Sequence, residues 1–393
     1  MLQTHSIAEL LGMEAYEFER IEQDEKQIVL SVRMKRRTQE CPACRTPCDQ
    51  IHDYRTQNVK DSPIQGKVVI WQYRKRRYRC HCCGKRFYES NYLLPRRHRI
   101  TNRLAAYGID QLRKKQSRKE IANSLGVSES SVCRWMNLLE YGKPTQLPRV
   151  LSIDEFRGNT EYGKFQCILT DPVHRRIVDI LPTRYHAQIS DYLREFSNRK
   201  QVQYFVMDMN REYLSIAKNL LPNATIVIDR FHVVRYCTWA VEKVRKNFQK
   251  KLLPEQRKYF KRSRKLLLSH MEDLTDENKA AVEQMLLMSH ELREAYLLKE
   301  RFYDFMRSAD SLQAKERLRE FRLHAYVAAL EEFDSFLKIL QNWESYILNA
   351  FDCPYSNGFT EGVNNKIKVL KRIAFGYRNF RNFRTRILCT INV

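Results

Sequence analysis

Residues 204–232 read YFVMDMNREYLSIAKNLLPNATIVIDRFH, and the architecture is decided here. Two apolar runs, Tyr204-Phe205-Val206-Met207 and Ala224-Thr225-Ile226-Val227-Ile228, each stop at an aspartate, Asp208 and Asp229. Between them, residues 212–220 read as a helix. Upstream, three strand candidates follow closely at 150–156, 165–170 and 177–181, then a helix candidate at 189–196. Close strands followed by strand–helix–strand alternation imply a mixed sheet flanked by helices.

Outward from this core the pattern changes in both directions. Residues 233–350 are rich in Leu, Lys, Glu and Arg with few turn signals, a long helical stretch that is clearest at 239–251, 283–299 and 314–341. Trp239 and Trp343 read as core residues of it. The turn Cys353-Pro354-Tyr355-Ser356-Asn357-Gly358 precedes a last helix from about Thr360. Before the core, Lys143-Pro144-Thr145-Gln146-Leu147-Pro148 is a linker, because each proline disfavours helix in the residue before it. Residues 101–140 read as short helices and 36–95 as short strands and turns with clustered cysteines. Residues 1–35 read as an acidic, helical opening leading to a strand at 27–32. The expected division is therefore an N-terminal segment (1–35), a zinc-binding β module (36–95), a helix-turn-helix (96–143), a mixed-sheet α/β domain in two parts (149–239 and 351–393, the second with a basic tail), and an all-α insertion (240–350).

The chain of 393 residues is 43% hydrophobic and carries a formal charge of +24. That charge is concentrated. Residues 51–149 hold 22 Lys/Arg against 7 Asp/Glu, and residues 357–393 hold 8 against 1. Concentrated positive charge suits a polyphosphate, since neutralised phosphates release condensed counterions. No apolar run is long enough for a membrane span, and the first residues lack a signal-peptide pattern, so a cytoplasmic, nucleoid-associated protein is expected.

The 11 cysteines point to metal binding or burial before disulfides. Cys41-Pro42-Ala43-Cys44 and Cys80-His81-Cys82-Cys83-Gly84 are two C-x-x-C knuckles, and two such turns complete a tetrahedral Zn²⁺ site. Cys41, Cys44, Cys80 and Cys83 are the best ligand set. Cys48 and Cys82 are surplus, and His81 could replace a thiolate. The neighbouring cations Arg74, Lys75, Arg76 and Arg77 are candidates for phosphate contact.

Ser117 to Ser128 read as a capped helix and a turn. Ser117 and Glu120 have capping-box spacing, Ala122 allows close approach, and Gly126 suits the turn. Ser128 caps a second helix, which in a helix-turn-helix reads DNA from its exposed N-terminal side chains. Ser128, Glu129, Ser130, Ser131 and Arg134 are the candidates.

Asp154 lies within a strand-like run, Asp208 ends another, and Glu361 lies near the start of the last helix. Any one of these acids alone reads as structural or solvated. Together, in a chain with two DNA-binding modules, they fit a phosphoryl-transfer site with two Mg²⁺ (or Mn²⁺) ions. The order of the motifs resembles the ISL3 family of insertion-sequence transposases, whose catalytic domain is of the DDE, ribonuclease H-like kind. The marks are the cysteine knuckles, the helix-turn-helix, Ile153-Asp154-Glu155, Met207-Asp208-Met209, Asp229-Arg230-Phe231-His232, and residues 357–368. The resemblance implies Asp154, Asp208 and Glu361 as catalytic metal ligands. Asp229 and His232 become an auxiliary pair, and the helical segment becomes an insertion ahead of the glutamate.

The implied activity is cleavage and joining of double-stranded DNA at terminal inverted repeats and target, by a homodimer or higher oligomer. Lys366, Lys368, Lys371 and Arg372, then Tyr377, Phe380 and Phe383 among Arg378, Arg381 and Arg384, read as a DNA-facing tail. Two rival readings share the binding modules: a non-catalytic zinc/helix-turn-helix regulator, and a nuclease of the same fold that cuts without joining.

Overall fold

The computed structural model describes residues 8–392, which form two compact units: the chain up to Tyr141 together with the segment from Lys368, and Gly142–Ile367. In the first unit the strands are β1 (Tyr16–Gln23), β2 (Gln27–Met34), β3 (Gln39–Glu40), β4 (Pro47–Cys48), β5 (Ile51–Ile64), β6 (Lys67–Arg79) and β7 (Arg86–Tyr88). The main sheet runs β1-β2-β6-β5, with β7 on β6. Gln65 and Gly66, at φ 51° and 77°, join β5 to β6 as a two-residue hairpin turn whose twist matches the strands. In the acidic opening residues 8–10 are helical and β1 follows: Tyr16 points inward, its ring 5.4 Å from that of Trp71, and both are buried. β2 pairs in parallel with β6, so residues 1–35 contribute strands to the same sheet as the cysteine module.

Helices α1 (Asn102–Gln111), α2 (Arg118–Ser124) and α3 (Glu129–Asn137) close over Leu104, Ile121, Leu125, Val132 and Trp135. The capping box forms in both directions: Glu120 N donates to Ser117 Oγ at 3.1 Å and Ser117 N to Glu120 Oε2 at 2.6 Å. Gly126 is required twice over. Its φ is 61°, and a Cβ there would sit 2.7 Å from the methyls of Val68.

The second unit holds β8 (Val150–Thr160), β9 (Gly163–Asp171), β10 (Arg176–Leu181), β11 (Tyr204–Met207) and β12 (Thr225–Ile228) in the order β10-β9-β8-β11-β12. β10, β9 and β8 are antiparallel; β8, β11 and β12 are parallel. Strand alternation splits the apolar residues. Leu151, Ile153, Phe205, Met207 and Ile228 share a core with Ile189 and Leu193 of α4 (His186–Arg194) and Ile216 of α5 (Arg211–Leu220). Val150, Val206 and Val227 cluster instead with Ala350 and Cys353. The sheet therefore has helical cover on both faces.

The expected helical segment is α6 (Arg230–Lys250), α7 (Pro254–Arg262), α8 (Arg264–Leu268), α9 (Asp276–Leu287), α10 (His290–Met306), α11 (Ser311–Ala328) and α12 (Glu331–Asp352). The run read as continuous at 314–341 breaks at Ala329, which takes a left-handed conformation at φ 48°. Phe302 of α10, Phe321 of α11 and Phe336 of α12 pack ring on ring, with Phe302 5.4 Å and 5.0 Å from the other two. Trp343 is buried as expected, but Trp239 is 44% exposed, with the Arg235 guanidinium over its ring.

α13 (Gly358–Ile373) and α14 (Phe380–Ile391) end the chain. The tail divides between interior and surface, and two of its aromatic residues turn inward. Tyr377 and Phe383 are buried and stack at 4.6 Å, and Arg386 is 1% exposed. α14 is amphipathic, and its apolar side together with Arg386 belongs to the interior of the first unit. Arg378 and Arg381 keep to the surface.

Candidate active site and metal centres

The two cysteine knuckles repeat one backbone design. Cys41 N donates to Thr46 O (3.0 Å) while Arg45 N donates to Cys41 O (2.8 Å); Cys80 N donates to Lys85 O (2.9 Å) and Gly84 N to Cys80 O (3.0 Å). The residue after each second cysteine, Arg45 or Gly84, has positive φ (58° and 72°). The turns bring the sulfurs of Cys41, Cys44, Cys80 and Cys83 within 4.8 Å of one another, with pairs at 3.5 Å. Four thiolates at Zn–S distances of about 2.3 Å lie roughly 3.8 Å apart, so the set fits a structural Zn²⁺. Cys48 is buried beside this set and Cys82 is exposed.

The expected DNA contacts divide by burial. Arg76 is 5% exposed; it bonds Met34 O at 2.6 Å and pairs with Glu89 at 3.3 Å, so it holds the sheet together and is removed from the contact surface. Ser131 is likewise buried, bonded to Ser128 and Arg134. Arg74 lies over the Tyr54 ring, Lys75 over Tyr88, and Arg77 pairs with Asp53 at 3.3 Å. Ser128, Glu129, Ser130 and Arg134 are exposed at the start and outer face of α3, and Lys366, Lys368 and Arg372 are exposed on α13.

Sheet register assembles the acids. Val206 pairs with Ser152 across β11 and β8, and Met207 with Ile228 across β11 and β12. Continued past the ends of β11 and β12, this register aligns Asp154, Asp208 and Asp229 in one row. Asp154 points to the α13 face, where Asn364 Nδ2 donates to its Oδ2 at 2.7 Å, and its own Glu155 N–H donates to Oδ1 at 2.7 Å. Glu361 stands one helical turn before Asn364, on the same side of α13. Asn357 donates to Ile153 O at 3.5 Å, and the hydroxyls of Thr360 and Thr170 lie 2.7 Å apart. Asn357, just before α13, and Thr360 and Asn364 on it thus bond one side of this helix to the sheet.

The tightest cluster is Asp208, Asp229 and His232, whose ligand atoms all lie within 4.8 Å. Asp229 caps α6, and its carboxylate and that of Asp208 share His232 Nδ1 at 3.2 Å and 3.0 Å. The Asp208 oxygen facing His232 is Oδ1, which is buried. Burial pushes the Asp154 carboxyl up to about 6, with the charges of Glu155 and Glu361 adding to the rise. Burial and then the Asp154 charge push Asp208 up to about 7. Burial pulls His232 down, but its bond to Asp229 and the charge of Asp208 outweigh that and raise it. Such carboxylates crowd together at a cost that a cation would remove. Sequence reasoning singled out the acids but passed over Asn357, Thr360 and Asn364. Their i, i+3, i+7 spacing around Glu361 was the available signal.

A cysteine-ligated zinc centre, a helix-turn-helix and a mixed sheet edged with carboxylates define a DNA-processing enzyme. Residues 151–387 match the transposase model of the ISL3 DDE type, 37–83 the zinc finger of transposases IS204/IS1001/IS1096/IS1165, and 91–139 the helix-turn-helix domain of transposase family ISL3. The chain belongs to the ISL3 family and is a DDE-type DNA transposase. It is 26% identical to the transposase of insertion sequence IS1001 from Bordetella parapertussis over 98% of this chain and 97% of that one. It is 24% identical to the IS1557 transposase of Mycobacterium tuberculosis over 59% of this chain and 57% of that one.

A Lactococcus lactis protein named as an ATP-dependent protease is 34% identical over 35% of this chain and 40% of its own length. Residues 158–164 here do repeat the glycine and lysine spacing of a nucleotide-binding P-loop. Phe165 stands where that motif needs a hydroxyl, however, and the segment is the β8–β9 hairpin rather than a strand-to-helix loop. Among the described residues, no helix is long and apolar enough to cross a membrane.

Proposed function

We propose that Asp154, Asp208 and Glu361 hold the divalent ions, two Mg²⁺ or Mn²⁺, with which this transposase cuts the ends of its element and joins them to target DNA. The observation that carries this reading is the row of aspartates continued from the register of β8, β11 and β12, with the glutamate helix bonded to the first of them through Asn364. The donors are oxygens, which suit such ions, and burial together with their neighbours' negative charge raises the pKa values of Asp154 and Asp208. Such ions, when bound, would polarise the phosphodiester and stabilise both attacking and leaving oxygens of an in-line displacement.

The protein's own work is positioning. Asn364 and the Glu155 amide fix both oxygens of Asp154, so one rotamer faces the reacting phosphate. His232, shared between Asp208 and Asp229, sets the orientation of Asp208 and ties it to the start of α6. The exposed side of α3, with Ser130 and Arg134, and the outer cations of β6, Arg74 and Lys75, hold the terminal inverted repeats. Lys366, Lys368, Lys371 and Arg372 meet the phosphates beside Glu361. Because two ends must be brought together, the working form is a homodimer or higher oligomer.

The test uses duplexes of the two element termini, a circular target and Mg²⁺. Asp154→Asn, Asp208→Asn and Glu361→Gln are each expected to abolish cleavage and strand transfer while end binding persists. Undiminished cleavage by any one variant removes that residue from the site. Cleavage by the wild-type protein without joined products would favour the nuclease reading.

A further inference from the structure

The turn between α1 and α2 carries carbonyls that call for donors, as helix ends do, and of these Lys114 O takes one from its own backbone, Gln116 N at 2.9 Å. Side chains from the far end of the chain supply further donors. Arg386 Nη2 donates to Lys114 O at 2.8 Å and to Gln116 O at 2.6 Å. Cys389 Sγ and Thr390 Oγ1 both reach Leu112 O, at 3.6 Å and 3.4 Å. Cys389 also lies in the apolar core of the helix-turn-helix, beside Leu112, Ile121 and Val132. Arg384 Nη1 donates to Tyr141 O, just past the motif, at 2.8 Å.

Arg386 is the unusual member. A guanidinium that is 1% exposed is costly to bury unless its charge is met, and here peptide carbonyls meet it. The two carbonyls of the turn, with the buried Tyr377 hydroxyl beside it, are what hold it. Gln116 immediately precedes Ser117, the cap of α2, so the carbonyl that Arg386 grips fixes where α2 starts. α2 packs on α3, and α14 packs on α3 directly. The orientation of the DNA-reading helix therefore depends on a side chain 270 residues away from the turn it secures.

We propose that Arg386 is a positioning residue for end recognition, and that the helix-turn-helix binds its DNA only once α14 has docked. A growing chain that has made α1 to α3 lacks that clamp, so recognition waits until α14 has been synthesised and docked. This rests on the reading of α3 as the contact to the terminal repeat.

The test measures affinity by fluorescence anisotropy, for a terminal-repeat duplex against a scrambled one, in the full-length protein. Zinc content and the thermal shift on adding Mg²⁺ are recorded alongside. Arg386→Ala should weaken specific binding by at least about tenfold with zinc and the Mg²⁺ shift unchanged, and Arg386→Lys by less. A chain ending at Asn379 should lose specific binding and regain it when a peptide of residues 376–393 is added. Wild-type affinity in both Arg386→Ala and the shortened chain overturns the proposal. Should Arg386→Ala also lose zinc, the peptide decides: rescue sustains the proposal and failure to rescue overturns it. Arg134→Ala serves as the control for the underlying reading. If it is silent while Arg386→Ala is not, the contact assigned to α3 falls but the dependence on Arg386 stands.

Discussion

The chain builds its zinc site and the proposed carboxylate site by opposite means. The zinc ligands come in pairs three residues apart, each pair made by one tight turn, and the sheet has only to bring two finished turns together. The carboxylates come one at a time, from the middle of β8, the end of β11, the cap of α6 and the face of α13. No local segment holds any two of the proposed triad. The first centre is a matter of spacing and the second a matter of register. The zinc centre should therefore matter chiefly to folding and the carboxylates to chemistry, and substitutions can separate the two.

The largest effect is expected from Cys80→Ser. A structural zinc site contributes its binding free energy to folding, on the order of 10 kcal/mol or more in small domains. Removing one thiolate should empty the site and unfold the β module, with loss of end binding, measured as zinc stoichiometry, near-UV circular dichroism and anisotropy. Asp208→Asn should do the reverse, keeping fold and binding and losing cleavage. A well-folded, end-binding Cys80→Ser protein would erase the contrast. Asn364→Ala comes next. It frees one oxygen of Asp154 from its donor, and outer partners of metal ligands typically matter by about 10- to 100-fold. Cleavage should fall by that factor and need more Mg²⁺ for half-maximal rate, while end binding holds; an unchanged Mg²⁺ dependence would sink the role given to Asn364.

The same division decides what could be read from residues alone. The C-x-x-C pairs announce their purpose because ligand and neighbour are close in sequence. Asp208 and Asp229 were legible as strand ends, and the apolar run before each gave the strand. Burial of charge was not legible. In β6 the inward positions are Val69, Trp71 and Tyr73, then the parity changes and Arg76 and Tyr78 face in. What makes Arg76 internal is Glu89, which also accepts from Tyr73, and nothing near Arg76 in sequence signals it. The tail hid its interior for the same reason: Tyr377 and Phe383 read as part of a phosphate surface, and nothing near Arg386 in sequence points to the turn at 112–116 whose carbonyls it reaches.

The acid site also differs from the zinc site in how it answers pH. Asp154 and Asp208, raised to about 6 and 7, hold protons in the folded protein at pH values where the unfolded chain has released them. Their contribution is therefore lost as pH rises from about 4 to 7, and His232, also raised, loses its share in the same direction as it deprotonates. Added Mg²⁺ competes with those protons at pH 5.5 and meets ionised carboxylates at pH 8. The rise in melting temperature on adding Mg²⁺ should thus be larger at pH 8, and Asp208→Asn should flatten the difference. An equal shift at both pH values would mean the carboxylates are not where Mg²⁺ binds.

The smallest expected effect tests whether the two knuckles are equivalent in more than ligand count. Gly84 and Arg45 occupy the same place, one residue past the second cysteine, and each donates its N–H back to the first cysteine of its turn. Both are left-handed, a conformation that costs an L side chain about 1 kcal/mol or more and glycine almost nothing. Arg45→Gly should relieve that strain at the expense of some added freedom in the unfolded chain, for a net gain of up to about 1 kcal/mol. Gly84→Ala should impose it, although a Cβ at Gly84 would meet no atom within 4 Å, so conformation alone sets the loss. Opposite signs for the two changes in thermal unfolding of the zinc-loaded protein would establish that one turn design serves both pairs. Destabilisation by Arg45→Gly would show that the first knuckle depends on its arginine side chain, and the symmetry would end at the sulfurs.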